Sequence, residues 1–235
     1  MLPVAILAGG LATRLYPLSA RVPKALISVA GRPFIFHQLE LLKCQGVERV
    51  VLCVGYLGEQ VRATVGDGRA FGMSIAYCFD GTPLLGTGGA IQQALPLLGD
   101  HFFVLYGDAY LRCSLRAIQS AYEAARQPAL MTVIRNGNRW DRSNAIFDSD
   151  AVLCYDKQSA RDDLTHIDFG LSVLSRAVFE PYADQRCIDL ADICRTLSRQ
   201  GRLAGFEVSQ RFYEIGSLQG MRETDAYLSR RAPGM

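Results

Sequence analysis

The chain has 235 residues, of which 49% are hydrophobic and 20% are charged, and its formal net charge is +2. This composition is typical of a folded globular protein, and its near neutrality argues against bulk electrostatic binding of nucleic acid. The longest apolar runs, such as Phe102 to Tyr106, are far shorter than the roughly 20 residues of a membrane-spanning helix, so we expect no membrane partner.

Cysteine usage and the first residues bear on the compartment. Seven cysteines are scattered along the chain and never follow the C-x-x-C spacing. This pattern predicts reduced, buried side chains rather than a disulfide framework or a zinc site. No basic region precedes the first apolar run, so we expect no signal peptide and predict a cytoplasmic protein.

Apolar strands alternate with helical segments through the first half of the chain. The sequence predicts strands at 3–7, 49–54, 74–79 and 102–106, with helices at 34–44, 59–65 and 90–98. The later half is less regular, with helices predicted at 115–126, 189–200 and 218–230, and strands at 129–135, 145–147, 152–155, 168–174 and 203–208. Nearly continuous apolar strands favour a parallel sheet that is covered on both faces. We therefore expect an α/β fold with a single-domain, Rossmann-like, mixed and mostly parallel sheet flanked by helices.

The stretch AILAGGLATRLYPLSARVPKAL ends an apolar strand in Gly9 and Gly10 and places Thr13, Arg14 and Lys24 just beyond them. In an open parallel sheet, ligands bind outside the carboxyl ends of the strands. Glycine lets the backbone approach a ligand closely, and successive N–H groups can then cradle phosphate oxygens. A plain turn with surface cations also fits these residues. The spacing matches neither a Walker loop nor the dinucleotide fingerprint.

The same stretch, together with GRPFIFHQLE, resembles the signature of the sugar-1-phosphate nucleotidylyltransferases. It departs from that signature where Ala12 replaces a glycine and Ser19 replaces a threonine. The resemblance implies the nucleotide-diphospho-sugar transferase type of fold. Residues 1–235 would form one domain, with a nucleotide-binding half at 1–110 and a sugar-phosphate-binding half at 111–235. The substrates would be a nucleoside triphosphate and a sugar 1-phosphate, whose oxygen attacks the α-phosphorus while pyrophosphate leaves; the oligomeric state stays open.

The resemblance also implies how the triphosphate is held. Positive charge would come from Arg14 and Lys24 as catalytic residues and from Mg²⁺ as cofactor. Asp108 in FFVLYGDAYL follows a strand where the family's metal-binding aspartate lies, although an aspartate there is also a common turn former. Glu214 in QRFYEIGSLQG stands at the late aspartate of the family, keeping the charge and adding one methylene. Hard oxygen ligands of this kind suit Mg²⁺.

A second glycine-rich stretch, YCFDGTPLLGTGGAI, resembles the family segment that lines the base pocket, where Gly86, Thr87, Gly88 and Gly89 would let the backbone pass against the base. Asp80 can accept from both N1 and N2 of guanine, whereas uracil and thymine present only N3, which favours GTP; a solvated turn aspartate is the alternative. Thr87 fits a ligand role and a helix cap equally. The nucleotide-binding residues implied in this way are Leu7, Ala8, Gly9, Gly10, Thr13, Asp80, Gly86 and Thr87.

For the sugar phosphate, the resemblance implies residues on the later strands. YDKQ resembles the family's E-K-P stretch, so Lys157 would bind the phosphate and Asp156 a hydroxyl. HIDFGLSVL resembles a family strand on which Gly170 gives close backbone access. The sugar-phosphate-binding residues implied are Asn144, Asp156, Lys157, Asp168 and Gly170. His166 is expected at the surface or behind the site.

The stretches LYGDAYL, TVIRNGNRWDRSNAIF and IDFGLSVL also resemble the D-glycero-D-manno-heptose 1-phosphate guanylyltransferases of bacterial surface polysaccharide synthesis. Uridylyl or thymidylyl transfer to another hexose 1-phosphate is the alternative, as is a non-catalytic module that binds sugar nucleotides. Retention of Arg14, Lys24, Asp108 and a late carboxylate favours the enzyme. An oxidoreductase is disfavoured because the spaced glycine fingerprint is missing.

Overall fold

The structure is a computed structural model that describes residues 1–10, 15–17, 20–159 and 161–230. The predicted site residues Thr13 and Arg14 therefore lie outside the described residues. The strands are β1 (Val4–Leu7), β2 (Ser28–Val29), β3 (Arg32–Pro33), β4 (Arg49–Val54), β5 (Ser74–Phe79), β6 (His101–Tyr106), β7 (Ala109–Tyr110), β8 (Ala129–Arg135), β9 (Ala145–Asp148), β10 (Ala151–Tyr155), β11 (His166–Ser175), β12 (Leu203–Val208) and β13 (Tyr213–Glu214). The α-helices are α1 (Phe34–Cys44), α2 (Gly58–Val65), α3 (Gly86–Leu98), α4 (Leu115–Ala125), α5 (Leu190–Arg199) and α6 (Leu218–Ser229).

Nine strands form one twisted sheet in the order β5-β4-β1-β6-β11-β8-β12-β10-β9. The first four strands run parallel, β11 runs antiparallel to both of its neighbours, and β8 and β12 are again parallel. Strand β10 is antiparallel to β12 and β9. The expected α/β fold with a mixed sheet flanked by helices is confirmed.

Alternate residues of β1 show why the strand is apolar throughout. Val4 and Ile6 belong to one buried hydrophobic cluster, whereas Ala5 belongs to another. Because successive side chains of a strand point to opposite faces, this division places packed helices on both sides of the sheet. The strand has no solvent-facing side, and its apolar run is what a doubly covered parallel strand requires.

Register brings the ends of three strands to one edge. Leu7 at the end of β1 lies opposite Cys53 of β4 and Tyr106 of β6. The segments that follow these strands therefore start side by side. Parallel sheets place their ligand sites at this edge.

Two elements differ from the sequence prediction in ways that affect the site. Helix α3 begins at Gly86 rather than at residue 90, and the two-residue strands β7 and β13 pair with each other. Strands this short carry no periodic signal, which is why the sequence analysis did not predict them. All seven cysteines carry free thiols. In the described part of the chain, every helix is too short or too polar to cross a lipid bilayer.

Candidate active site

A cavity of about 220 Å³ opens at the carboxyl ends of β1, β4 and β6. It brings together most of the predicted nucleotide-binding and phosphate-binding residues among those described: Leu7, Ala8, Gly9, Gly10, Lys24, Asp80, Gly86, Thr87 and Asp108. The two glycine-rich stretches, far apart in sequence, thus face each other across one cavity. A wider cavity of about 810 Å³ lies against α1, but none of the described site residues lines it.

In the first glycine turn, glycine is needed for close packing and not for unusual backbone angles. Neither Gly9 nor Gly10 has a positive φ. A Cβ on Gly9 would lie 3.0 Å from the Gly55 amide nitrogen and 3.3 Å from Asp80 Oδ2, whereas a Cβ on Gly10 would meet nothing within 4 Å. The absence of a side chain at Gly9 therefore lets the turn after β1 pack against Gly55 and the Asp80 carboxylate. Gly10 leaves open space at the cavity.

Lys24, Asp108 and Glu214 converge on a single point. The Lys24 ammonium lies 2.5 Å from Asp108 Oδ2, in a half-buried ion pair. Lys24 Nζ, Asp108 Oδ2 and Glu214 Oε2 all lie within 3.2 Å of the position that a Cβ on Gly216 would occupy. The missing side chain of Gly216 leaves room for these charged groups.

Local pairing places the two acids side by side. Strand β13 aligns Glu214 with Ala109 of β7, and the Ile215 amide donates to the Asp108 carbonyl at 2.9 Å. The Glu214 carboxylate accepts hydrogen bonds from the amides of Gly216 and Ser217 and from the Ser217 hydroxyl. It therefore lies at the N-terminus of α6, where backbone donors and the helix dipole favour a negative charge.

These groups fit a divalent cation of the magnesium type. The described residues contain no cluster of three or more His, Cys, Asp or Glu that could enclose a metal by themselves. Mg²⁺ usually takes one or two carboxylates from the protein and completes its shell with water and substrate phosphates. Asp108 and Glu214 supply that number of hard oxygen donors beside the cavity, and Gly216 adds no side chain where they meet, although the Lys24 ammonium contacts Asp108 there.

Asp80 is buried beneath the first glycine turn, with 8% of its surface exposed. Burial raises the pKa of its carboxyl, and the Leu85 backbone amide offsets part of that rise. Its Oδ1 atom has no hydrogen-bond partner among the described residues. The alternative of a solvated turn aspartate is therefore wrong, because a buried acceptor without a partner requires a donor from elsewhere.

The second glycine stretch is helical where a loop was expected. Gly88 and Gly89 lie in the first turn of α3, and their amides donate to the Ile188 carbonyl. A Cβ on Gly89 would lie 2.5 Å from the Arg186 carbonyl oxygen. The prediction that these two glycines pass against the base is wrong, because they pack against backbone that precedes α5.

Thr87 lines the cavity but also joins two helices. Its hydroxyl donates to Asp189 Oδ1 and accepts from the Leu190 amide, both at 2.8 Å. Helix α3 has no side-chain N-cap. The threonine therefore ties α3 to the N-terminus of α5. It does not cap α3, the helix in which it lies.

The predicted sugar-phosphate residues adjoin this cavity rather than line it. Lys157 Nζ donates to the Tyr106 hydroxyl at 3.1 Å and lies 3.9 Å from Asp168 Oδ2. Asp168 accepts from the Tyr155 hydroxyl and the Gly170 amide. Because Tyr106 itself lines the cavity, these residues form its neighbouring wall.

Asn144 and Asp156 are linked through the backbone. Asn144 Oδ1 accepts from the Asp168 amide, and the Asn144 carbonyl accepts from the Asp156 amide, both at 2.9 Å. The Asp156 carboxylate accepts from the Gln158 amide and lies 3.7 Å from Arg195. All five predicted sugar-side residues, including Gly170 through its amide bond to Asp168, therefore belong to one connected network.

His166 lies in the sheet and not at the surface. It is 7% exposed, contacts the Thr165 hydroxyl at 2.9 Å and Glu207 at 3.3 Å, and packs edge-on against Phe147. The alternative of a surface position is wrong because His166 begins β11, which is paired at this residue with both β8 and β9.

Two aromatic residues near the site were given no role in the sequence analysis. Tyr106 lines the cavity, and its position directly before Gly107 and Asp108 at a strand end was a usable signal. Trp140 lies under two guanidinium groups, 5.6 Å from Arg139 and 5.7 Å from Arg211. Trp140 and Glu214 both line a third cavity, of about 210 Å³. The sequence offered no signal for that contact, because Arg211 lies about seventy residues further along the chain.

Comparison with known proteins adds an independent finding. A family model described as nucleotidyl transferase matches residues 4–144. N-acetylmuramate α-1-phosphate uridylyltransferase of Neisseria meningitidis is 31% identical over 228 residues, which cover 94% of this chain and 96% of that protein. D-glycero-α-D-manno-heptose 1-phosphate guanylyltransferase of Campylobacter jejuni is 28% identical, over 77% of this chain and 79% of that protein.

The fold has solved counterparts. The crystal structure of HddC from Yersinia pseudotuberculosis complexed with GMP-PN superposes with a TM-score of 0.79, at 24% identity, over 97% of this chain and 100% of that chain. Several other curated relatives are longer proteins, of which this chain spans between 31% and 50%.

Proposed function

Because the chain belongs to the nucleotidyl transferase family, we propose that it transfers a guanylyl group from GTP to D-glycero-D-manno-heptose 1-phosphate. The products are GDP-heptose and pyrophosphate. Sugar-1-phosphate nucleotidyl transfer is the activity that the matched relatives share by name. The observation that carries the proposal is the meeting of the first glycine turn, Lys24, Asp80 and Asp108 in one cavity.

The triphosphate would lie along the first glycine turn. Backbone N–H groups near Gly9 and Gly10 would donate to phosphate oxygens, and Lys24 would transfer its ammonium contact from Asp108 to the phosphates. Arg14, which lies outside the described residues, would add a second cation. Mg²⁺ held by Asp108 and Glu214 would neutralise charge that builds up as pyrophosphate leaves. The attacking phosphate oxygen is already an anion, so this chain needs to position it rather than deprotonate it.

The Asp80 carboxylate favours a nucleotide whose base carries a ring N–H. Its Oδ1, which has no partner among the described residues, can accept one hydrogen bond, which guanine N1, uracil N3 and thymine N3 can each donate. Adenine N1 and cytosine N3 are acceptors and would face the carboxylate unfavourably. Guanine adds a neighbouring N2 amino donor for the same carboxylate, which is the reason we place GTP first.

The acceptor would lie beside Tyr106, where Lys157 offers an ammonium to its phosphate. We propose that residues 1–110 bind the nucleotide, that residues 111–235 bind the sugar phosphate, and that Asn144, Asp156, Asp168 and Gly170 shape the acceptor side. The heptose assignment rests on the guanylyltransferase relative, of which the chain spans 79%. The reaction would take place in the cytoplasm and supply surface polysaccharide synthesis.

A second candidate is uridylyl transfer to N-acetylmuramate α-1-phosphate. The relative with that name is 31% identical and is matched over 96% of its length. Uracil N3–H would also satisfy the Asp80 Oδ1 atom, which has no partner in the described part of the chain. This candidate differs from the first in both base and sugar, so one experiment separates them.

The test is a pyrophosphate-release panel. GTP, UTP, dTTP, ATP and CTP are each paired with the 1-phosphates of heptose, N-acetylmuramate, glucose and mannose, with and without Mg²⁺, and products are identified by mass. If the first proposal is right, GTP with heptose 1-phosphate gives the highest kcat/KM, and turnover requires Mg²⁺. A preference for UTP with N-acetylmuramate would support the second candidate, and a preference for ATP or CTP would overturn the role of Asp80.

A further inference from the structure

Tyr106 occupies the boundary between the nucleotide cavity and the predicted acceptor side. It is the last residue of β6, lies opposite Leu7 of β1, and directly precedes Gly107 and Asp108. Tyr106 also lines the nucleotide cavity. A group at this position can therefore connect the two substrates.

The same tyrosine holds Lys157 in two ways. The Lys157 ammonium donates to the Tyr106 hydroxyl at 3.1 Å and lies 4.8 Å from the centroid of its ring. Lysine has a flexible four-carbon stem, and 41% of this side chain is exposed to solvent. Without such contacts the ammonium would sample many positions.

A fixed carboxylate completes the arrangement. Asp168 Oδ2 lies 3.9 Å from Lys157 Nζ, and only 5% of the Asp168 side chain is exposed. Its two oxygens accept from the Tyr155 hydroxyl at 3.1 Å and from the Gly170 amide at 2.9 Å. Because Asp168 cannot rotate without losing these bonds, it gives Lys157 a fixed anionic neighbour.

Gly170 makes room for the tyrosine ring. It has a φ of +92° at an irregularity in β11, and a Cβ there would lie 3.3 Å from Tyr106 Cδ2. The absence of a side chain lets the ring lie against β11, where its hydroxyl reaches Lys157. The glycine predicted to admit the sugar thus also sets the position of Tyr106.

We propose that Tyr106 is a positioning residue, which holds the Lys157 ammonium at the edge of the nucleotide cavity so that it meets the phosphate of the acceptor. This inference rests on the proposed function, because it takes Lys157 to be the group that binds that phosphate. Tyr106 acts through Lys157 and therefore governs capture of the acceptor rather than of the nucleotide.

Protonation keeps the contact intact at neutral pH. Burial raises the pKa of the Tyr106 hydroxyl, and the nearby Asp168 carboxylate raises it further. Burial lowers the pKa of Lys157, but Tyr106 and Asp168 outweigh that effect and raise it overall. The hydroxyl therefore stays neutral and the ammonium stays charged under assay conditions.

The kinetic test compares Tyr106→Phe, which keeps the ring and removes the hydroxyl, with Lys157→Met and the double variant. Tyr77→Phe is the matched control, since it removes a hydroxyl that donates to the Gly66 carbonyl at the far edge of the sheet. We expect Tyr106→Phe to raise the KM for the sugar 1-phosphate about tenfold, as loss of a hydrogen bond to a charged group does. The KM for the nucleotide should change less than about twofold, and the double variant should match Lys157→Met, because the two residues act together.

The outcomes separate this inference from the proposed function. If Lys157→Met raises the acceptor KM while Tyr106→Phe behaves as the parent protein, the inference is overturned and the proposed function stands. If neither single variant changes the acceptor KM, the role of Lys157 is overturned and the inference with it. Additive effects in the double variant, or equal rises in both KM values, would also overturn the inference.

Acetylation gives a readout that needs neither activity nor a variant. The chain has three lysines, Lys24, Lys43 and Lys157, so each can be followed by mass spectrometry. An ammonium held by Tyr106 and Asp168 should react more slowly than the exposed Lys43 in the unliganded parent protein. Equal or faster reaction of Lys157 would contradict the positioning role.

Discussion

Lys24 and Asp108 form an ion pair of 2.5 Å across 84 residues of sequence, at the mouth of the nucleotide cavity. The two side chains are 18% and 32% exposed, so solvent and ligands can reach both. The Asp108 carboxylate alone would repel a polyphosphate. The Lys24 ammonium neutralises that carboxylate until a metal cation and the phosphates bind.

Asp108→Asn tests this relationship. The amide keeps an oxygen for Lys24 but removes the charge that would bind Mg²⁺, so we expect turnover to fall by at least about a hundredfold, as with the loss of one charge-stabilising group in other active sites. Pyrophosphate release measured against Mg²⁺ concentration checks this. Asp100→Asn is the control, since Asp100 is exposed at the opposite end of the sheet. Turnover near that of the parent protein would contradict the assignment of Asp108.

Gly9→Ala and Gly10→Ala form a matched pair within one turn. A Cβ at Gly9 would crowd the Gly55 amide and Asp80, so we expect the free energy of unfolding to fall by about 1–3 kcal/mol. A Cβ at Gly10 meets open space, so its stability should stay within about 0.5 kcal/mol of the parent protein. Chemical denaturation measures both values.

Nucleotide affinity gives the second readout for this pair. The added methyl at Gly10 would stand in the cavity, so Gly10→Ala should raise the KM for the nucleotide even though the fold is unaffected. Equal loss of stability in the two variants would contradict the packing difference between the glycines.

The fold and the class of reaction could be predicted because their signals are local. Strand β4 and helix α1 have the predicted bounds, since a short continuous apolar run and an amphipathic helix that ends at a glycine are both marked in the local sequence. The family, the α/β fold and sugar-1-phosphate nucleotidyl transfer are confirmed. The roles of individual site residues stay predictions.

Contacts between distant segments could not be read in the same way. Gly88 and Gly89 face the backbone near residue 188, and Thr87 bonds to Asp189, which no spacing within the glycine stretch reveals. Pairing of Glu214 with Ala109 depends on two-residue strands that have no pattern of their own. Such contacts are properties of tertiary packing, which overrides local expectation.

Asp80→Asn tests the raised pKa of the buried carboxylate through the pH dependence of the free energy of unfolding. Burial raises its pKa above the ordinary 3.8, so the folded state binds this proton more readily than the unfolded chain. Its contribution to stability therefore falls as the pH rises from 3.8 through the raised pKa. The free energy of unfolding of the variant minus that of the parent should increase over that interval and then level off.

Denaturation at several pH values between about pH 3 and about pH 8 measures the difference. Asp148→Asn, on the exposed end of β9, controls for the loss of one carboxylate. A constant difference for Asp80→Asn across the range would show that the buried acid does not titrate as described. The same variant should raise the KM for the preferred nucleotide, because the amide presents an N–H donor or a weaker acceptor to the base.

Ser217→Ala separates helix capping from metal binding at Glu214. The Ser217 hydroxyl accepts from the Gly220 amide and donates to Glu214 Oε1 at 2.6 Å, whereas Ser114 caps α4 by accepting from the Ala117 amide. Both Ser217→Ala and Ser114→Ala should lower the free energy of unfolding by about 0.5–2 kcal/mol, the usual effect of losing an N-cap. Only Ser217→Ala should raise the Mg²⁺ concentration for half-maximal turnover, since it alone removes the side-chain hydrogen bond that holds Glu214 Oε1. Denaturation and Mg²⁺ titration of both variants measure the two effects, and an unchanged Mg²⁺ requirement in Ser217→Ala would mean that Glu214 serves α6 and not the metal.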